Sequence, residues 1–416
     1  MRRSTRIAFL FLIVGSSTGL AGSGGSGYSR HGLGDLQYGS FGRGLGMGGV
    51  GIALLPSGTI DPLNPATWAV ISRTQFSVSA LYEGFAGTDQ TSSTYLSSAK
   101  FNGLMLAVPL IPSWGVILGA GITPFSRVNY NILVPGSQNG FDYTARYEGE
   151  GGISQGHLGV SAAPDSNLMI GVKLNYYFGT LRNTVSQTFP SNSYTNAQDV
   201  RLTRLDGIGA TFGVMYGGMK KLMNLPPDQF LNVGAVFSTI SSLNSAEERY
   251  YAYTNTSLTT RDTVVYPEGK SRLPFAAGGG ISFGTDRYTL ASDLYYQNWS
   301  MFALHDSSVS DLRDSYRFSL GAELVPKKES SAPFFQRLSY RLGFFYDASY
   351  YNIKGEPIDE AGIAGGFGIP ILADTRMHIA AEYSFRGTVD LEKDRIFRLS
   401  VTFSASERWF VHAPQE

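Results

Sequence analysis

Residues 168–178 read LMIGVKLNYYF, and the two faces of this stretch decide the fold. Leu168, Ile170, Val172, Leu174, Tyr176 and Phe178 fall on one side, and Gly171, Lys173 and Asn175 on the other. Such period-two alternation marks a strand with one apolar and one polar face. The pattern recurs in 116–132, where Val116, Leu118, Ala120, Ile122, Val128, Tyr130 and Ile132 oppose Gly119, Gly121, Thr123, Arg127, Asn129 and Asn131, with Ile117 and Phe125 as exceptions. In 316–324, Tyr316, Phe318, Leu320, Ala322 and Leu324 alternate with Arg317, Ser319, Gly321 and Glu323. In 337–347, Leu338, Tyr340, Leu342, Phe344 and Tyr346 alternate with Arg337, Ser339, Arg341 and Asp347, and in 397–403 Phe397, Leu399, Val401 and Phe403 alternate with Arg398, Ser400 and Thr402.

A soluble sandwich would alternate too, but three features point to a membrane barrel. Many of these strands run to about twice the soluble norm of 5–6 residues. Tyrosine and phenylalanine cluster near the ends of the apolar faces, as in interfacial girdles. From Gln75 onward about fourteen strands can be counted, and their connections follow a rhythm. The odd ones (87–97, 135–140, 183–198, 245–270, 298–311, 352–359, 387–394) are mostly longer and polar. The even ones (112–113, 164–166, 217–228, 284–287, 326–336, 373–376) are mostly shorter, the asymmetry of outer loops and periplasmic turns. Reversing the faces would place Lys173, Arg317 and Arg341 in lipid at roughly 2–4 kcal/mol each. They are expected in the lumen, within reach of Glu323, Asp347, Asp293 or Glu382. The fold class is all-β, an antiparallel transmembrane β-barrel of about fourteen strands with an N-terminal plug in the lumen.

The composition agrees. Charged residues make up 16% of the 416, against about 25% in soluble domains. Lys plus Arg equals Asp plus Glu at 33 each, so there is no basic footprint for nucleic acid. No cysteine is present, which excludes disulfides, thiolate metal sites, a cysteine nucleophile and a lipoprotein anchor. Residues 1–21 read as a secretory signal: Arg2, Arg3 and Arg6, an apolar run over 7–14, then Gly19-Leu20-Ala21. That run is too short for a spanning helix, which needs about 20 residues. The expected location is the outer membrane of a Gram-negative bacterium. The expected division is a signal at 1–21, a glycine-rich lead and luminal plug at 22–74, the barrel at 75–410 and a periplasmic tail at 411–416.

Residues 44–66, GLGMGGVGIALLPSGTIDPLNPA, precede the strands and lack their alternation. Glycine lets a plug bend sharply and approach the wall closely; Gly46, Gly48, Gly49, Asn64, Pro65 and Ala66 are the candidate gate residues. Pro124 lacks an N–H in the middle of a long strand, where a ladder bond is lost. With Gly119 and Gly121 beside it, it marks a candidate kink in strand three, read either as a bulge or as a gap in the wall. Gly44-x-Gly46-x-x-Gly49 satisfies a dinucleotide fingerprint, but no strand precedes it. Gly280-x-Ser282-x-Gly284 satisfies a hydrolase elbow, but another strand follows instead of a helix. The five histidines are scattered, and no cofactor or metal is expected. His378 shares a face with Glu382 and is expected to be solvated, whereas His305 and Asp306, as strand neighbours, should face opposite ways. The sequons at Asn255 and Asn298 carry little meaning in a bacterial outer membrane.

GMGGVGIAL (46–54) followed by DPLNPA (61–66) resembles the N-terminal hatch of the FadL/TodX outer-membrane transporters of hydrophobic compounds. GAGITPFSRVNY (119–130), GVKLNYYFG (171–179), LPFAAGGGISFG (273–284) and DLYYQNW (293–299) are similar to family strands. The chain departs from the family in not ending on an aromatic residue. The resemblance implies a fourteen-stranded barrel admitting a hydrophobic small molecule through a lateral opening, with Asn64, Pro65 and Ala66 contacting the strand-three kink. It implies no catalysis. The partners expected are outer-membrane lipid, the ligand and the barrel-assembly machinery, and the protein is read as a monomer. The alternatives are a PorV-like barrel that binds or shuttles secreted proteins, and an outer-membrane hydrolase, which would need a Ser–His pair within hydrogen-bond reach.

Overall fold

The computed structural model describes residues 22–407 apart from 39–40, 89, 91–92, 139, 192–193, 255–258, 326, 328–330, 373–374 and 389. The expected export signal, the expected tail and the Asn255 sequon lie outside the described residues. Fourteen antiparallel wall strands follow one another around a ring. They begin with β1 (Thr74–Thr88), β2 (Ser93–Ile111), β3 (Val116–Pro124, resuming as Ser126–Gln138), β4 (Phe141–Ala162), β5 (Leu168–Thr188) and β6 (Asn196–Tyr216). Next come β7 (Phe230–Ser238, resuming as Ser241–Thr254), β8 (Gly269–Leu273, resuming as Ala276–Gly284), β9 (Tyr288–Gln297) and β10 (Ser315–Leu324). The last four are β11 (Ser339–Ile353), β12 (Glu356–Leu372), β13 (Thr375–Thr388) and β14 (Glu392–Glu407). β14 pairs with β1 from Lys393↔Thr88 to Glu407↔Thr74, which closes the barrel.

Side-chain exposure follows the alternation. Leu174, Ile208, Leu342 and Ile363 are 58–68% exposed on the outside, while Asn175 on the inner face of β5 is 1% exposed. An apolar belt of this extent is foreign to a soluble monomer and fits a lipid-facing wall. At its outer boundary Tyr296 and Tyr346 donate from their hydroxyls to Asp314 (2.7 Å) and Asp359 (2.6 Å), an apolar ring below and a polar handle above.

Two expectations are corrected. The outer connections are mostly continuations of the ladder. The described residues of the expected loop over 245–270 instead include the end of β7, a ribbon strand Thr259–Val265 paired to it, and the start of β8; β11 and β12 join through a turn at Lys354 and Gly355. Beyond the membrane both faces of a hairpin are wet, so the ladder persists while the apolar alternation that reveals it disappears. The second correction is in β3. Its two halves are interrupted at Phe125, and the extra residue flips the facing. Val128 and Tyr130 therefore turn inward and pack with Tyr28 and Leu33 instead of facing lipid.

Eight wall strands can be filled by their own side chains, whereas 16–18 leave an open channel. A fourteen-stranded ring needs added filling, and the N-terminal segment supplies it. The N–H of Gly42 donates to Thr402 of β14, and those of Gly51 and Ile52 donate to Asp293 of β9. The carbonyls of Ala53 and Pro62 accept from Ser282 of β8 and Lys173 of β5. One short segment reaches these strands, on different sides of the ring, from within.

Candidate functional site: the luminal plug and the wall gap

The plug runs over 41–71 and contains one helical turn, Gly42–Leu45, and one 3-10 turn, Pro65–Val70. Gly48 and Gly49 take φ of +76° and +93°, so the chain reverses here in a conformation that other residues resist. A methyl group on Gly48 would also lie 2.5 Å from the Phe344 carbonyl oxygen of β11, and one on Gly49 would press on the Arg317 guanidinium at 3.1 Å. Gly46 caps the helical turn and lies over Gly366 of β12.

The only charged residue in 41–60 is Arg43. Its guanidinium grips Glu323 of β10 (2.6 Å from Nη2) and donates to the Leu55 carbonyl (2.6 Å). Arg341 of β11 holds the other oxygen of Glu323 at 2.8 Å. Arg341 also donates to Nδ1 of His378 (3.0 Å), which leaves Nε2 as the donor to Thr59 of the plug (2.8 Å). His378 is thus luminal but fully buried, not solvated; the plug covers it. Sequence reasoning placed Glu323 and Arg341 in the lumen and missed Arg43. The signal was available: a lone cation in an apolar, glycine-rich segment must find an acid when buried.

Asn64 is fully buried and caps the 3-10 turn, accepting from the Ala66 N–H at 3.0 Å. Its amide donates to the carbonyls of Ile52 (2.6 Å) and Val214 (3.3 Å). Pro65 and Ala66 lie against Gly171, where a methyl group would sit 2.5 Å from the Pro65 carbonyl carbon. Asn64, Pro65 and Ala66 therefore rest on β5 and β6. The same turn meets β3 through Trp68, whose ring lies over Gly119. Nor is the space beside Gly121 left open; Met105 and His157 fill it.

The interruption of β3 follows directly after Pro124 and opens the wall. β2 pairs with β3 only from Leu104↔Ile122 down to Ile111↔Val116; above that, among the described residues, no ladder joins 93–103 to 126–138. A cavity of about 550 Å³ occupies the break, lined in part by Phe101, Ile122, Pro124, Arg127 and Val128. Thr123 and Pro124 also line a second, luminal cavity of about 80 Å³ bordered by Leu36, Phe125, Tyr177 and Tyr295. Above both lies an apolar layer that includes Tyr28, Leu33, Trp299, Tyr350 and Tyr351. Trp299 thus faces the lumen.

Around the gap the charges are mutually compensated. Glu83 of β1 takes Lys100 (2.9 Å), Arg127 (3.3 Å) and Arg398 (3.1 Å), while Arg386 of β13 bridges Asp35 (2.7 Å) and Asp394 (3.0 Å). Burial, and then the neighbouring Arg30, lower the pKa of His31 against the pull of Asp311.

The motifs weighed above are not assembled. Ser282 donates to the Ala53 carbonyl at 2.7 Å and serves as a plug anchor. His305 and Asp306 occupy a turn with φ of +49° and +61°, not a strand, so the opposite-face expectation lapses. His305 does meet Ser245 (Nδ1 to Oγ, 3.1 Å), but Asp306 is engaged with the Lys270 N–H. Among the described residues, no group of three His, Asp or Glu could hold a metal ion.

Residues 1–414 match the family described as BamG. The chain belongs to the BamG family. No curated protein matches it. Among solved structures this BamG-family barrel is similar to the Ralstonia pickettii toluene transporter TbuX, with 15% identity, a TM-score of 0.59, and 89% of this chain and 98% of that one covered. It is similar to the Pseudomonas putida toluene transporter TodX at 15% identity and TM-score 0.58, covering 91% and 100%. A Pseudomonas aeruginosa FadL homologue follows at 14% and 0.54, covering 88% and 97%. At these identities the likeness is one of fold, and it bears out the FadL/TodX-like barrel expected from the sequence.

Proposed function

We propose that this BamG-family barrel lies in the outer membrane of a Gram-negative bacterium and admits a small hydrophobic molecule through the β2–β3 gap, with the plug as its gate. The observation that carries this reading is the break in the wall after Pro124, which holds a cavity of about 550 Å³ that shares Thr123 and Pro124 with the luminal one. The two toluene transporters of similar fold support the class of ligand. In the conformation described the route is shut: about 80 Å³ is well short of the roughly 150 Å³ cavity known to take up benzene. Passage requires Leu36–Tyr38 or the plug to move. No step of chemistry is assigned.

The test is uptake of radiolabelled toluene by intact cells carrying the protein, the Thr123→Trp variant, or neither. Wild-type cells should exceed cells lacking the protein, and Thr123→Trp, which adds bulk at a residue lining both cavities, should fall to the background. Equal uptake by all three would contradict the reading.

One observation favours a second reading. The luminal cavity beside the gap is small, about 80 Å³ beneath a buried apolar layer, and the family name BamG suggests a link to the assembly of outer-membrane barrels. On that reading the barrel is a non-conducting partner of the assembly machinery. Purification from native membranes separates the two: a co-extracted apolar small molecule, identified by mass spectrometry, supports the channel, and a stoichiometric protein partner without one supports the assembly role.

A further inference from the structure

We propose that the glycine-rich lead, residues 22–36, is a strap that holds the β2–β3 gap shut by backbone pairing to both of its edges. This rests on the lateral route proposed above. On the β2 side, Gly22 and Ser23 pair in parallel with Leu96 and Ser97. On the β3 side, Asp35 and Leu36 pair antiparallel with Arg127 and Ser126, and the Ser29 hydroxyl serves both the carbonyl and the N–H of Asn129 at 3.1 Å. The Phe101 carbonyl, also at the opening, accepts from Arg127 at 3.0 Å. Unpaired strand edges in lipid are costly, and the lead supplies partners where the neighbouring wall strand does not.

The lead is built for close approach. A methyl group on Gly25 would stand 2.8 Å from the Asn129 carbonyl oxygen, and one on Gly34, at φ of +86°, would run into the Arg127 carbonyl. Between its two pairings the lead is anchored elsewhere on the wall: Ser26 donates to Asp394 at 2.6 Å, and the Tyr350 hydroxyl donates to the Gly34 carbonyl at 2.5 Å. These anchors lie on β14 and β11, so the strap can leave the β2 and β3 edges while its middle stays bound.

The absence of cysteine makes the test clean. Leu36→Cys/Ser126→Cys places a disulfide across a paired position, where Cα separations of about 4.5–5.5 Å suit the bond. Gly34→Val pushes the lead off β3. Amide deuterium exchange over 94–101 and 126–131 is followed in lipid nanodiscs for the oxidised and reduced double variant and for Gly34→Val. Exchange should be about tenfold faster in Gly34→Val than in the oxidised form, with reduction restoring the wild-type rate, since pairing sets local opening. Equal rates in all forms overturn the strap. On the same samples, a diazirine-bearing fatty acid probes the gap. If the edges open but residues 119–129 take no label, the lateral route falls while the strap stands.

Discussion

Removing the luminal segment should convert this barrel into an open pore. Replacing 44–66 with a glycine-serine linker of equal length is expected to raise liposome swelling by small sugars above background, and deleting 24–71 outright to raise it to a porin-like rate. The deletion should have the larger effect. The reason is the layering of the interior. The plug fills the lower lumen through Met47, Ile52 and Trp68, all fully buried, whereas Tyr28 and Leu33 of the lead belong to the apolar layer above. A flexible linker has no side chains to replace the first layer and leaves the second standing. Without either, the wall side chains of fourteen strands do not close the bore. Retained heat-modifiable migration would show that the barrel still folds. Swelling at the wild-type rate in both variants would mean that the segment does not occlude the pore.

The second large effect is expected at Glu323. Glu323→Ala strands two buried cations, Arg43 and Arg341, around a missing carboxylate. Breaking a buried ion pair by removing one partner costs about 3–5 kcal/mol. The wall is held by its ladders, so this loss falls on the plug. Amide exchange over 42–55 should accelerate by roughly a hundredfold or more, the equivalent of that energy in local opening. The wall amides of β10 and β11 should change little. Glu323→Gln, which keeps the shape and an acceptor oxygen, should lie between. Unchanged plug protection in Glu323→Ala would show that Arg43 does not anchor the plug.

The wall was readable because lipid on one side and water or plug on the other impose period two, and Leu174 beside Asn175 carries that signal in two residues. The luminal placement of Lys173, Arg317 and Arg341 followed from the cost of a charge in lipid, and two of them meet the acids expected: Arg341 with Glu323 and Arg317 with Asp347. Lys173 instead bonds the plug carbonyl of Pro62. What was not readable lies where those constraints lapse. The outer hairpins are wet on both faces. At Phe125 the break shifts the facing so that Val128 and Tyr130 turn inward; Pro124 marks the place, but the residues after it do not announce the shift. The lead GSGGSGYSRHGLGD has no periodicity at all, and its partners, Leu96 and Arg127, are far along the chain. His378 looked solvated only because the plug that covers it comes from the other end of the sequence.

A plugged barrel requires the N-terminal segment to lie inside the wall, and single-cysteine spin labels report its position directly in lipid. Labels at Leu174 and Leu342 should collide with oxygen and not with a water-soluble nickel chelate, as lipid-facing sites do. Labels at Met47 and Ile52 should be shielded from both. Free collision of the nickel chelate with Met47 and Ile52, together with loss of the oxygen signal at Leu174 and Leu342, would place the segment outside and the apolar faces within, and would contradict the account.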